Sequence, residues 1–209
     1  VGTTFIDDCQ WDRSAEWVST YLTHDTVNGQ MYISNSTRCG SSKDQFGYGL
    51  YLFEFNTGVL GDLKYRYIDL MIQSTVQSPA TGDQIGNHAL RIRFNVGANL
   101  VECINNTNLL GSQTYTVLAN TQYRALILTS ATGFTLKIYK NGVLDLTKTW
   151  ACSLNIFGYF GISHTSSGSG TTEMPAARFS SVIIIAASPD ATNGIAACIP
   201  PIGGGARYG

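Results

Sequence analysis

The chain has 209 residues, and 13% of them are charged, against roughly 25% in an ordinary soluble domain. Lys and Arg number 13 and Asp and Glu 14, for a net charge of −1, which excludes an electrostatic nucleic-acid binder, while the 44% hydrophobic content excludes a disordered tail. Coiled coils and helical bundles need more Glu, Lys and Arg than this, and no apolar run approaches the roughly 18 residues of a membrane-spanning helix.

Helical periodicity is nearly absent. Residues 14–22 and 153–157 are the only places where a turn or two of helix fits. Residues 47–55 (GYGLYLFEF) read as a strand with Tyr51, Phe53 and Phe55 on one face and Leu50 and Leu52 on the other, a pattern of burial on both sides. Residues 67–74 alternate, with Ile68, Leu70 and Ile72 facing the core and Tyr67, Asp69, Met71 and Gln73 facing away. Residues 89–96 do the same, with Leu90, Ile92, Phe94 and Val96 inward and Arg91, Arg93 and Asn95 outward. A strand at 123–129 precedes a hairpin at 135–148. A three-residue loop, 140–142, is expected there, because it pairs Ile138 with Leu144 and Leu136 with Leu146 and sets Lys137 opposite Asp145. Strands at 159–164 and 177–187 follow.

About a dozen short strands, some apolar on both faces, predict an all-β fold of two packed sheets, a jelly-roll sandwich over residues 1–187. Residues 188–209 read as an irregular arm holding three of the five prolines and three consecutive glycines. A chain beginning at Val1 without Met reads as a processed or trimmed product.

Five cysteines (Cys9, Cys39, Cys103, Cys152 and Cys198) form no CxxC motif and no cluster with His, so no zinc site is expected. The reading is two disulfides, paired in sequence order as Cys9 with Cys39 and Cys103 with Cys152, with Cys198 left to tie the arm to the body or to another chain. Sequons at Asn35 and Asn105 lie in polar, turn-like stretches, and together with the cysteines they point to a secreted, extracellular glycoprotein. Asp7, Asp8 and Asp25 are not gathered closely enough for a dedicated calcium loop. Neither a metal nor a cofactor is expected.

The order of residues 46–55 (FGYGLYLFEF), 67–71 (YIDLM), 134–143 (FTLKIYKNGV) and 157–162 (FGYFGI) resembles the concanavalin A-like lectin/glucanase superfamily, in particular laminarinase-type β-glucanases and laminin G-like jelly rolls. The resemblance covers residues 46–187. In the glucanases an "EIDIE" strand sets its carboxylates on one face, which suits retaining hydrolysis because alternate strand residues share a face and the reaction needs two carboxylates about 5 Å apart. The matching positions here are Tyr67, Asp69 and Met71. Only the central Asp is kept, so the resemblance implies the fold without that chemistry.

Three classes of function follow. The first is a secreted, non-catalytic, lectin-like module that takes a glycan or polysaccharide on Tyr67, Asp69, Met71, Gln73, Arg91, Arg93 and Asn95, since rings stack on sugar C–H faces and polar groups satisfy hydroxyls. The second is a structural subunit of a filament, capsid or matrix that self-associates through its neutral surface and C-terminal arm. The third is a polysaccharide lyase or hydrolase using Asp69, Glu54, His88 or Tyr67. For that class, Gln84, Ile85 and His88 resemble the "QIH" strand of alginate-lyase-type jelly rolls, but with two residues inserted and the accompanying "RxExR" and "YFKxGxY" strands missing. His164 and the polar loop after it could lip a groove. The reading leans away from an enzyme.

Overall fold

A computed structural model describes residues 2–19, 21–33, 38–58, 66–77, 89–166 and 177–187. Fifteen strands are found among them, in two antiparallel sheets, as the alternating pattern predicts. The eight-stranded sheet runs β13 (Val143–Ala151), β12 (Gly133–Lys140), β11 (Gln122–Ser130), β6 (Gly49–Thr57), β15 (Ala177–Ala187), β4 (Gln30–Ile33) and β3 (Leu22–Asp25), with β1 (Gly2–Asp7) also paired to β15. The seven-stranded sheet runs β10 (Asn108–Thr114), β9 (Leu100–Asn105), β8 (Leu90–Asn95), β7 (Arg66–Ser74), β14 (Tyr159–Ser166), β5 (Arg38–Ser42) and β2 (Trp17–Val18). A 3₁₀ turn at Ser14–Glu16 is all that forms in the first helix-tolerant stretch, and residues 153–157 hold no helix.

The inward faces interlock through aromatic rings. Phe55 of the larger sheet meets Phe94 of the smaller edge-on, at 5.4 Å between centroids. At the other end Phe5, Trp17, Phe46 and Phe160 pack together, Phe5 and Phe160 at 4.8 Å. Such pairs add to the burial of large apolar surface, which is the main driving force for the sandwich. The alternation read for β7 and β8 holds: Ile68, Leu70, Ile72, Leu90, Ile92 and Phe94 are all buried.

Three expectations change. Tyr51, Phe53 and Phe55 of β6 are buried, but Leu50 and Leu52 on its other face are only half-buried. The hairpin turns on two residues, not three. Lys140 pairs with Val143, and Asn141 and Gly142 both take positive φ, 49° and 81°, as a type I′ turn requires. The carboxylate that this turn would set opposite Ile138 is displaced by a bulge: pairing passes from Tyr139–Leu144 to Ile138–Leu146. Asp145, left out of the ladder, lies 3.2 Å from Lys140 Nζ, while Leu136 faces Lys148 and Lys137 faces Thr147. Third, the four described cysteines are thiols, not the expected disulfides. Cys9 packs in the core between the sheets, whereas Cys39 clusters with Met71 and Ala89 on the outer face of the smaller sheet, so the pair expected from sequence order is separated by a sheet. Burial, with a lesser contribution from Cys152, pushes the Cys103 thiol up to about 12.

One buried carboxylate joins elements of both sheets. Asp7, at the end of β1, accepts from Trp17 Nε1 of β2 at 2.9 Å, contacts His24 Nε2 of β3 at 3.1 Å, and accepts from the Cys9 amide at 2.9 Å. Burial alone would raise its pKa. The bonds from His24, Trp17 and Cys9 together outweigh that and hold it below the usual carboxylate range. Because the folded pKa lies below the unfolded one, the stabilisation is full above the unfolded pKa, about 4, and is lost as pH falls through the folded value. Asp7→Ala is expected to cost about 3 kcal/mol in denaturant unfolding at neutral pH, since it strands buried donors. The variant should also lose less stability than the parent between pH 4 and 2; identical pH slopes would show that Asp7 is not paired.

Candidate functional site

Six of the seven residues expected to form a site share one face, and Gln73 falls at a bulge beyond the paired stretch. Antiparallel pairing of β7 with β8 sets Asp69 opposite Arg93, Met71 opposite Arg91 and Tyr67 opposite Asn95, on the outer face of the seven-stranded sheet. Direct cross-strand neighbours stand within reach of one another's side chains. Here that proximity makes a network. Arg93 donates from Nε and Nη2 to Asp69 Oδ1 and Oδ2 at 2.8 and 2.9 Å, a bidentate fork. Arg91 Nη1 lies 3.8 Å from Asp69 Oδ2, and Ser163 Oγ of β14 donates to the same oxygen at 3.4 Å. The Arg93 guanidinium also lies over the Tyr67 ring, its Cζ 4.1 Å from the centroid. Burial disfavours the Arg93 charge, but Asp69, Glu102 and Tyr67 together hold its pKa above the ordinary value.

Burial divides these residues into two sets. Asp69 and Met71 are each 1% exposed and form a floor. Tyr67, Arg91, Arg93 and Asn95 are half-buried and present atoms to solvent. Gln73 sits at a register shift between β7 and β14 with φ 54°, and neither atom of its buried amide has a hydrogen-bond partner. Non-glycine residues in that region and unpartnered buried amides are both uncommon, and such positions collect at functional sites.

Glu102 belongs to this face and was missed. It is half-buried on β9, opposite Arg93, with Asn95 Nδ2 at 3.5 Å from its Oε1. Its signal was the alternation of buried Val101 and Cys103 with Leu100 and Glu102, shortened to six residues by the turns on either side. Ser163 was also missed, because its strand joins β7 only through a pairing about ninety residues away in sequence. Of the four residues expected for an enzyme, Tyr67 and Asp69 share the outer face of the seven-stranded sheet. Glu54 lies on β6 in the other sheet, paired with Arg124 on that sheet's outer face. His88 and the loop after Ser166 lie outside the described residues, as do Asn35 and the arm 188–209; the side chain of His164 is likewise not described. Asn105 is half-buried at the end of β9, and its Nδ2 donates to the Ser153 carbonyl at 3.2 Å. Among the described residues no group of three or more His, Cys, Asp or Glu side chains is placed to hold a metal ion, and no helix is long and apolar enough to cross a membrane.

No protein-family model matches the sequence, and no curated protein matches it. Solved structures do match in shape. A seed lectin from Lotus tetragonolobus superposes with a TM-score of 0.64 at 9% identity, over 88% of this chain and 99% of that one. The Bacillus licheniformis β-glucanase gives 0.57 at 14% identity, over 86% and 96%. The carbohydrate-binding module CBM66 from Bacillus subtilis gives 0.52 at 15% identity, over 82% and 92%. The fold is that of the concanavalin A-like lectins and glucanases. At such identities the likeness fixes the architecture alone, and the chemistry rests on this chain's own side chains.

The Asp69–Arg93 pair is the test of that chemistry. Arg93→Ala leaves a buried carboxylate without its main partner and is expected to cost about 3–5 kcal/mol. Arg93→Lys should recover only part of this, since an ammonium cannot form the fork. The measurement is the urea midpoint at unchanged m-value; a neutral Arg93→Ala would show that the fork is not formed in solution.

Proposed function

We propose that this chain is a lectin-like module that holds a carbohydrate non-covalently on the outer face of its seven-stranded sheet and does not cleave it. The observation that carries the reading is the half-buried row of aromatic, guanidinium, amide and carboxylate groups across β7, β8 and β9: Tyr67, Arg91, Arg93, Asn95 and Glu102. A guanidinium has five N–H donors, and Asp69 takes two of those on Arg93, which leaves donors for sugar hydroxyls while Glu102 offers acceptors. The shared fold with a seed lectin and a carbohydrate-binding module supports the same reading.

The non-catalytic part rests on Asp69. A retaining hydrolase needs two carboxylates about 5 Å apart, one of them able to carry a proton. Asp69 is held in a bidentate ion pair, and Glu102 stands two strands away, so their backbones are roughly 10 Å apart. The module is read as extracellular on the strength of its two sequons, Asn35 and Asn105.

A glycan array should identify at least one ligand, and isothermal titration should then show Tyr67→Ala and Glu102→Gln weakening it at least tenfold with melting temperatures within about 2 °C of the parent, as expected of half-exposed positions. Prolonged incubation with the bound polysaccharide should yield neither new reducing ends nor unsaturated products. Ligand binding that survives both substitutions sinks the site, and product formation sinks the non-catalytic reading.

A further inference from the structure

Two cysteines far apart in sequence face the same space between the sheets. On β9 the inward residues are Val101 and Cys103, both fully buried. On β13 of the other sheet Trp150 faces inward and Ala151 is exposed, so the alternation turns Cys152 inward again, half-buried against the same core. Contacts on either side of the two thiols hold these segments together. Gly111 stands opposite Cys103 in the pairing of β10 with β9, and a Cβ there would lie 3.0 Å from Trp150 Nε1. Asn105, two residues on from Cys103, donates from Nδ2 to the carbonyl of Ser153, next to Cys152, at 3.2 Å. The thiols are close enough for a charge on Cys152 to raise the pKa of Cys103.

We propose that Cys103 and Cys152 are a dithiol pair that a small disulfide, such as oxidised glutathione, converts into a disulfide between the two sheets. Cys152, the half-buried member, is the point of entry. Its thiolate attacks one sulfur of the oxidant, which gives a mixed disulfide and releases one small thiolate. The Cys103 thiolate then attacks the Cys152 sulfur, the bridge forms, and the second small thiolate leaves. Two protein thiols are oxidised, one small disulfide is reduced to two thiols, and the two protons end on those thiols. Cys103 is fully buried and its thiol is pushed up to about 12, so it closes the bridge and does not start it. Cys9 is turned elsewhere, its Sγ donating to the Phe179 carbonyl at 3.4 Å, and Cys39 lies on the other side of the smaller sheet. The bridge ties β9, which carries Glu102 on the outer face, to the end of β13, and the inference stands whether or not that face takes a sugar.

The test uses the full-length chain, purified reduced and then incubated with oxidised and reduced glutathione at mildly alkaline pH. After the remaining thiols are alkylated, non-reducing peptide mapping should find the Cys103–Cys152 bridge at least about fivefold more abundant than any other bridge and than glutathione held on Cys152. Closing a loop of about 50 residues should raise the melting temperature by about 8 °C or more, an effect that dithiothreitol reverses and that Cys152→Ser does not show. Both thiols still free, or glutathione left on Cys152 with Cys103 still open to alkylation after unfolding, overturns the proposal. So does a bridge from Cys152 to Cys9, Cys39 or Cys198 in its place. A Cys103–Cys152 bridge that lowers the melting temperature overturns it as well, since the two sulfurs then meet only in a distorted chain.

Discussion

The bidentate pair between Asp69 and Arg93 decides what the outer face of the seven-stranded sheet can do. A carboxylate buried to 1% exposure is costly unless its lone pairs are met, and here they are met by one guanidinium, with a second guanidinium and a hydroxyl close by. That arrangement fixes the Arg93 side chain, which in turn is stacked on Tyr67 and stands opposite Glu102. The same pair occupies both oxygens of Asp69.

The period of two makes this possible. β7 and β8 send Ile68, Leu70, Ile72, Leu90, Ile92 and Phe94 into the core, and that burial sets the register that brings Asp69 opposite Arg93. A shift of one residue would drive both arginines inward, where nothing could solvate them. The apolar contacts of one face thus hold in place the polar contacts of the other. The Asp7 cluster plays a related part at the far end of the sandwich, where β1 and β3 of one sheet and β2 of the other converge on a single carboxylate.

The sheet class, eight of the strands and the sharing of one face by Tyr67, Asp69, Met71, Arg91, Arg93 and Asn95 were all legible in the sequence, because alternation is a local property. What depended on distant pairing was not. Glu102 reaches the site through a short strand whose alternation is broken by flanking turns, and Ser163 through a strand remote in sequence. Glu54 reads as an equal candidate to Asp69 until the topology sends it to the other sheet. The hairpin register failed for a different reason: the twist preference of the Asn141–Gly142 turn prevailed, and a bulge at Asp145 absorbed the misfit that alternation alone treats as forbidden. Burial of the floor residues was also not legible, since an outward position says nothing about what lies over it.

The proposed carbohydrate-binding face is tested most directly by locating where a ligand touches the protein. The decisive measurement is a titration of the isotope-labelled chain with a carbohydrate ligand, followed by backbone amide shifts. The account predicts shifts concentrated in Arg66–Ser74, Leu90–Asn95 and Leu100–Asn105, with the sugar's own resonances unchanged over days. Shifts centred instead on the eight-stranded sheet or on the β12–β13 turn would contradict it.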